Sequence, residues 1–172
     1  TVLSIFAGGI INQFYDREKD QLTKPFRTRL QNFLKQKYFL YAYLTLNLFS
    51  LGIAYFISTR VFVFFLIYQF FMWFYSHKLS KILIINNLTF VSLTLYPFFG
   101  MMVYYHTFSV NVFLMAVFLF LILLIIDITK DFLTKNADKI FGYVIIPNYF
   151  GNSLAKKIVV FFFIILMLVF ML

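Results

Sequence analysis

The chain has 172 residues, of which 63% are hydrophobic and 12% charged, with a mean hydropathy of +0.90. Soluble domains run at roughly 45–50% apolar and about 25% charged, so a water-soluble globule is excluded. The absence of Cys rules out disulfides, thiolate metal sites and cysteine nucleophiles, and two His cannot build a histidine-cluster di-iron or haem centre. The six Gly form no GxGxxG or P-loop pattern. The net charge of +9 sits between apolar stretches, where Lys and Arg set topology and meet headgroups or anionic substrates rather than nucleic acid. The chain is therefore expected to be a polytopic membrane protein, all-α in class, whose chemistry rests on carboxylates, bases, Tyr, Asn or backbone.

Uncharged stretches cover 1–15, 38–59, 61–77, 82–126 and 158–172. A helix needs about 20 apolar residues to cross a bilayer. The stretch 82–126 is long enough for two crossings, with a natural break between Pro97 and Ser109. The predicted spans are a partial one ending near 15, then 38–58, 61–77, 82–104, 110–130 and a last one from 157. Both terminal stretches are short and the chain starts with Thr1, so we read 1–172 as one domain, incomplete at both ends. Fourteen of the fifteen Lys and Arg lie in 16–37, 78–81 and 130–157, against Arg60 on the other side. That asymmetry puts these three segments in the cytoplasm, in a multi-pass protein of the inner (cytoplasmic) membrane.

The six acidic residues are Asp16, Glu18, Asp20, Asp127, Asp131 and Asp138, three at each of two cytoplasmic span ends. Asp16 and Asp20 are four apart, as are Asp127 and Asp131, so on a helix each pair shares a face. Asn12 extends the first stripe by one turn, and Asp138 lies two turns beyond Asp131 if that helix continues. Two such stripes at one membrane level can converge on cations. Hard oxygen donors suit Mg²⁺, which usually keeps one or two carboxylates and fills its other positions with water and substrate phosphate. Lys24, Arg27 and Lys130 stand beside them and would hold the same phosphates. The plainer alternative is that these acids balance neighbouring Lys and Arg in solvated loops. Gathering every acid into two matched clusters beside the bilayer, where charge is costly, favours function.

At these residues the sequence resembles a known family. Asn12-Gln-Phe-Tyr-Asp16-Arg-Glu-Lys-Asp20, followed by Lys24-Pro25, is similar to the NxxxDxxxD motif of the UbiA superfamily of intramembrane prenyltransferases. Asp127-Ile-Thr-Lys130-Asp131, then Asp138, Gly142-Tyr143, Ile146-Pro147 and Gly151, resembles its second aspartate-rich motif and downstream loop. Tyr75-Ser76-His77-Lys78-Leu79 resembles the Tyr/Lys loop between them. The likeness runs from the end of the family's second helix into its seventh. It departs from the family at Gln13 and Thr134, where an Asp is usual, and at Ser80, where a basic residue is common.

The resemblance implies a transmembrane helical bundle around a central cavity open near the cytoplasmic side. It implies Mg²⁺ as cofactor, with Asn12, Asp16, Asp20, Asp127, Asp131 and Asp138 as its ligands. Asp16, Asp20, Asp127 and Asp131 would be the catalytic set, facing one cavity. Lys24, Arg27, Tyr75, Lys78, Lys130 and Tyr143 would bind substrate. The expected partners are a polyprenyl diphosphate donor, a lipid-like or aromatic acceptor and membrane lipids. The expected activity is a Mg-dependent prenyltransferase, alkyl- or aryl-transferring, moving a polyprenyl group from the allylic diphosphate to the acceptor. The motif variant leans toward a geranylgeranylglycerol-phosphate type of ether-lipid acceptor over a quinone precursor. The competing reading is a non-catalytic UbiA-like subunit that binds lipid or a partner protein. A cation transporter fits poorly, because no carboxylate lies at mid-membrane.

Three further expectations complete the reading. Asn86 or Asn87, just inside a span, should line the cavity or bond a helix terminus. Pro97 should kink its helix. Leu133-Thr134-Lys135-Asn136 has weak helix signals, so 132–145 is expected to be the least ordered stretch.

Overall fold

The computed structural model describes residues 1–31 and 35–171, and among these it is helical with no strand. Five helices are long and apolar enough to cross a membrane: Gln36–Ile57, Thr59–His77, Ile85–Tyr105, Val110–Ile140 and Gly151–Phe170. This is a multi-pass membrane protein. The chain divides into two compact units, Thr1–Lys78 and Leu79–Leu172.

The first unit holds α1 (Val2–Tyr15), α2 (Arg17–Thr23), α3 (Pro25–Gln31), α4 (Gln36–Ile57) and α5 (Thr59–His77). Helix α1 packs on both α4 and α5. Lipid tails are as apolar as the helices, so association there relies on close approach and interhelical hydrogen bonds. Ser4, Ala7 and Gly8 of α1 and Ser50 and Ala54 of α4 are accordingly buried. The Ser4 and Ser50 hydroxyls share a hydrogen bond of 2.7 Å. Gln69 Nε2 of α5 donates to Ser4 Oγ and to the Asn47 carbonyl, each at 3.5 Å, so all three helices are clasped. The end of Met72 takes the space a Cβ on Gly8 would need. Lys24 leaves the helical region because the residue before a proline is pushed out of it, and Pro25 then opens α3. A single extended residue, Ser58, joins α4 to α5, its Oγ accepting from Val61 N at 3.2 Å. Phe49, Tyr55 and Phe56 remain exposed, as suits a face that meets acyl chains.

The second unit opens with a 3₁₀ turn at Leu79–Lys81, followed by α6 (Ile85–Tyr105), α7 (Val110–Ile140), α8 (Ile146–Tyr149) and α9 (Gly151–Phe170). Val91 and Leu95 of α6 meet Leu124 and Ile128 of α7, Ile146 of α8 and Ala155 of α9 in its core. Pro97 lies inside α6. The break in the long apolar stretch falls where His106 turns left-handed (φ 54) and Ser109 caps α7 by accepting from Val112 N.

Three predicted boundaries are corrected. Helix α6 starts at Ile85 rather than 82, because Leu79–Lys81 winds as 3₁₀ and Ile84 sits at φ 65, which a right-handed helix cannot contain. Helix α9 starts at Gly151 rather than 157 and carries Lys156 and Lys157 in its first two turns. The stretch expected to be poorly ordered is mostly helix, since α7 runs unbroken to Ile140. Its weak local propensity is overridden by tertiary bonds. Asn148 Nδ2 donates to the Lys135 carbonyl at 3.0 Å, Lys135 Nζ donates to Asn152 Oδ1 at 2.8 Å, and Ala137 and Asp138 are buried.

Candidate functional site

In the second unit the site is built on the C-terminal half of α7. Because that helix is continuous, Asp127, Asp131 and Asp138 fall within about 40° of arc on one face at 3.6 residues per turn. All three are buried, at 6%, 7% and 2% exposure. From α6, Asn87 reaches across at 1% exposure and donates Nδ2 to both Asp127 Oδ2 (2.9 Å) and Asp131 Oδ2 (3.0 Å). One amide therefore bridges two carboxylates. Asp131 also feels the negative charge of both Asp127 and Asp138. Gly142 closes α7 at φ 74, and Tyr143 N then donates to the Asp138 carbonyl at 2.8 Å, a Schellman ending that needs glycine at this position. The turn delivers Tyr143, itself buried, beneath the Lys81 ammonium, 5.4 Å from its ring centre. Val144 N donates to the Lys81 carbonyl at 3.2 Å and pins the two loops together.

In the first unit the acids stand at the junction of α1 and α2. Asp16 is the hinge residue, its N–H still bonded to the Asn12 carbonyl, and Asp20 N bonds in turn to the Asp16 carbonyl at 2.8 Å. Both carboxylates are buried, at 8% exposure each. Asn12 Nδ2 donates to Asp16 Oδ2 at 3.2 Å, while Ser76 Oγ, which donates to the Met72 carbonyl at 3.1 Å, lies 3.5 Å from Asn12 Oδ1. Lys24 Nζ lies 3.0 Å from Asp20 Oδ1, and Lys19 Nζ 3.9 Å from Asp16 Oδ2. Asp20 shares a small hollow with Gln13, Arg17 and Thr28.

Among the described residues, no group of three or more His, Cys, Asp or Glu side chains is arranged to hold a metal ion. Each stripe presents a pair. Asp138 lies about 10 Å along the axis from Asp131, at 1.5 Å per residue, and so does not complete a triad. Paired carboxylates are hard oxygen donors of the kind that suits Mg²⁺, which is rarely caged by protein ligands alone.

The family model of the UbiA prenyltransferase family matches residues 1–172. The chain belongs to that family. A solved structure of a digeranylgeranylglyceryl phosphate synthase in membranes is similar in fold, with a TM-score of 0.66 at 22% sequence identity. The likeness covers 97% of this chain and 59% of that one, so the chain spans under two thirds of that structure's length. No curated protein matches the chain.

The UbiA motifs thus fall on definite places in each unit. Asn12, Asp16 and Asp20 come together with Lys24; Asp127 and Asp131 come together with Asn87. Arg27 on α3 and Lys78 at the end of α5 are exposed, and Tyr75 is half-buried on α5. Lys130 follows Thr129 on the exposed side of α7 and lies over the Phe90 ring at 5.4 Å, so it does not share the buried face of the neighbouring Asp131. At the start of the second unit Lys81 meets the Tyr143 turn. Sequence reasoning expected Asn86 or Asn87 to line the cavity or bond a helix terminus without pairing either with the acids, and it gave no role to Ser76, Arg17 or Thr28. For Asn87 a signal existed, since a polar pair inside a 45-residue uncharged stretch (82–126) is costly in a membrane. Its partners, 40 and 44 residues away, were not legible without the packing of α6 on α7.

Proposed function

We propose that the protein transfers a polyprenyl group from an allylic diphosphate to a lipid-like acceptor, with a prenylated glycerol phosphate preferred over an aromatic quinone precursor. The observation that carries this reading is the buried Asp127–Asp131 pair held by one amide, within a chain of the UbiA family. Buried acid pairs are expensive to maintain beside a bilayer unless a cation or substrate uses them. In this reading Asp127 and Asp131 would hold one Mg²⁺, and Asp16 and Asp20, with Asn12, would hold another. When bound, the metal supplies Lewis-acid neutralisation of the diphosphate.

The chain's own residues do the rest. Lys24 and Arg27 in the first unit, and Lys81 in the second, are cations that would each bind phosphate oxygens, with Lys78 and Lys130 drawing the anion to the cytoplasmic surface. Their charge favours the state in which the donor C1–O bond breaks and diphosphate leaves with the electron pair. Tyr75 in the first unit and Tyr143 in the second would be the aromatic groups offered to the donor, since aromatic faces attract the positive charge that develops on C1. The acceptor oxygen then bonds to C1 and passes its proton to the departed diphosphate. An apolar cavity of the kind the family resemblance implies would exclude the water that would otherwise capture C1. Active-site opening toward the cytoplasm in the inner membrane accords with the Lys and Arg asymmetry.

The test is Mg²⁺-dependent diphosphate release from geranylgeranyl diphosphate by the full chain in membranes, with and without a prenylated glycerol phosphate. Release that needs both acceptor and Mg²⁺ supports the reading. Donor binding without release, with Mg²⁺ and either acceptor class present, would instead identify a non-catalytic lipid-binding subunit.

A further inference from the structure

Asn87 carries a contradiction that a bound cation would resolve. Its Nδ2 sits 2.9 and 3.0 Å from one oxygen of each carboxylate, close to where a cation shared by Asp127 and Asp131 would have to lie. Its other polar atom, Oδ1, is buried and has no hydrogen-bond partner. The side chain is 1% exposed, so water does not make good the loss. A dication placed between the two carboxylates would face the positive N–H edge of the amide at close range. A half-turn of the amide plane exchanges Nδ2 for Oδ1 in the same volume. It removes that repulsion and presents a hard oxygen donor of the kind Mg²⁺ takes.

We propose that Asn87 is an oxygen ligand of the cation held by Asp127 and Asp131, its amide bridging the two carboxylates in the metal-free state and turning over when the cation binds. This rests on the reading of that pair as a divalent-cation site. Asn87 is then both a place-holder that keeps two like charges together and a donor that replaces itself. The sequence position alone does not suggest this, because no motif residue of α6 was singled out as a ligand.

The experiment uses the full chain in nanodiscs with Mn²⁺ as the probe, in an Asp16→Asn/Asp20→Asn background that removes the other stripe. Electron paramagnetic resonance measures the Mn²⁺ affinity. Selective ¹³C labelling of the Asn side-chain carbonyl reports a directly bound amide oxygen as a ¹³C coupling. The expected results are three. Asn87→Leu weakens Mn²⁺ about tenfold. Asn87→Asp, which keeps an oxygen but cannot bridge as a donor, retains binding. The ¹³C coupling present with Asn87 disappears in Asn87→Asp. Equal or tighter Mn²⁺ binding by Asn87→Leu would mean that the amide merely competes with the cation, and overturns the proposal. So does Mn²⁺ binding without ¹³C coupling while Asn87 is in place, a readout that stands even if Asn87→Leu fails to fold. If Asp131→Asn in the same background binds Mn²⁺ undiminished, the cation is not on this pair and the underlying site reading fails instead.

Discussion

The two carboxylate stripes are alike in spacing and unlike in what holds them. Asp16 and Asp20 sit where one helix gives way to the next, and lysines from their own segment come up against them, Lys24 at 3.0 Å and Lys19 at 3.9 Å. Asp127 and Asp131 sit within one long helix and are bridged by an amide from another helix. A lysine counter-ion at 44% side-chain exposure can swing away when an anion arrives, and costs little to release. A buried amide can only rotate in place. The difference teaches that the same four-residue motif can be kept ready by two routes: mobile charge in the first unit, fixed dipole in the second.

The largest effect expected is on catalysis, and it tests whether the stripes differ in support or in function. Asp16→Asn and Asp131→Asn should each lower turnover more than about 100-fold, the scale of losing one preorganised electrostatic contact, while the protein still inserts and folds. Steady-state rates of prenyl transfer by the full chain measure this. If one variant keeps near-normal rates, only the other stripe serves the reaction.

Next in size is a backbone effect that should appear in the second unit and not in the first. Gly142 has φ 74 and open space around it, so Gly142→Ala suffers no clash and is penalised through its left-handed backbone, by about 1–2 kcal/mol. Gly8→Ala meets only the flexible end of Met72, which can move, and should cost less. Thermal unfolding in one detergent compares the two directly. A larger loss at Gly8 would show that the α1–α5 seam is tighter than the α7 ending.

A smaller effect has opposite signs in the two stripes. Without metal, Asp20→Asn breaks the Lys24 pair and should lower stability by less than ~1 kcal/mol. Asp131→Asn keeps an acceptor for Asn87 but removes a charge that repels Asp127 and Asp138, so stability in EDTA should rise by a comparable amount. Raised salt should erase the first effect and leave the second, because buried charges are screened less. Parallel melting curves at low and high salt decide it.

Most of the fold was legible because charge interrupts this sequence so rarely. Arg60 and the lysines at 78 and 81 mark the helix ends to within a few residues, and both Asp pairs were visible from spacing. What was not legible depended on contacts between helices. The extension of α7 past Asp131 looked improbable from Leu133-Thr134-Lys135-Asn136 until Asn148 and Asn152 were placed beside Lys135. Helices α2 and α3 hid in a segment whose seven Lys and Arg suggested only a cytoplasmic loop. Lys130, adjacent to Asp131 in sequence, faces another way because neighbours on a helix are about 100° apart.

The unbroken α7 also sharpens the meaning of Thr134, where the family usually carries an acid. At 3.6 residues per turn, Thr134 falls about 20° to the Asp127 side of the arc that holds the three acids, one turn beyond Asp131 and about 60° from it around the axis. It is half-buried, so a longer carboxylate there has room to lean toward Asp131 or toward solvent. Thr134→Asp would add a further carboxylate donor about 4.5 Å along the axis from Asp131 and stand between the pair and Asp138 along the helix. Mg²⁺ binding should tighten two- to threefold, the scale of a helical charge neighbour at one turn's spacing. The same change should lower stability in EDTA, since a fourth negative charge joins Asp127, Asp131 and Asp138. In the first unit the matching change, Gln13→Asp, lands beside Arg17 and so should leave stability in EDTA unharmed. Titration calorimetry and melting of the full chain measure both. Tightening at 134 without the loss in EDTA would mean that the new carboxylate leans outward and acts on the cation only at a distance.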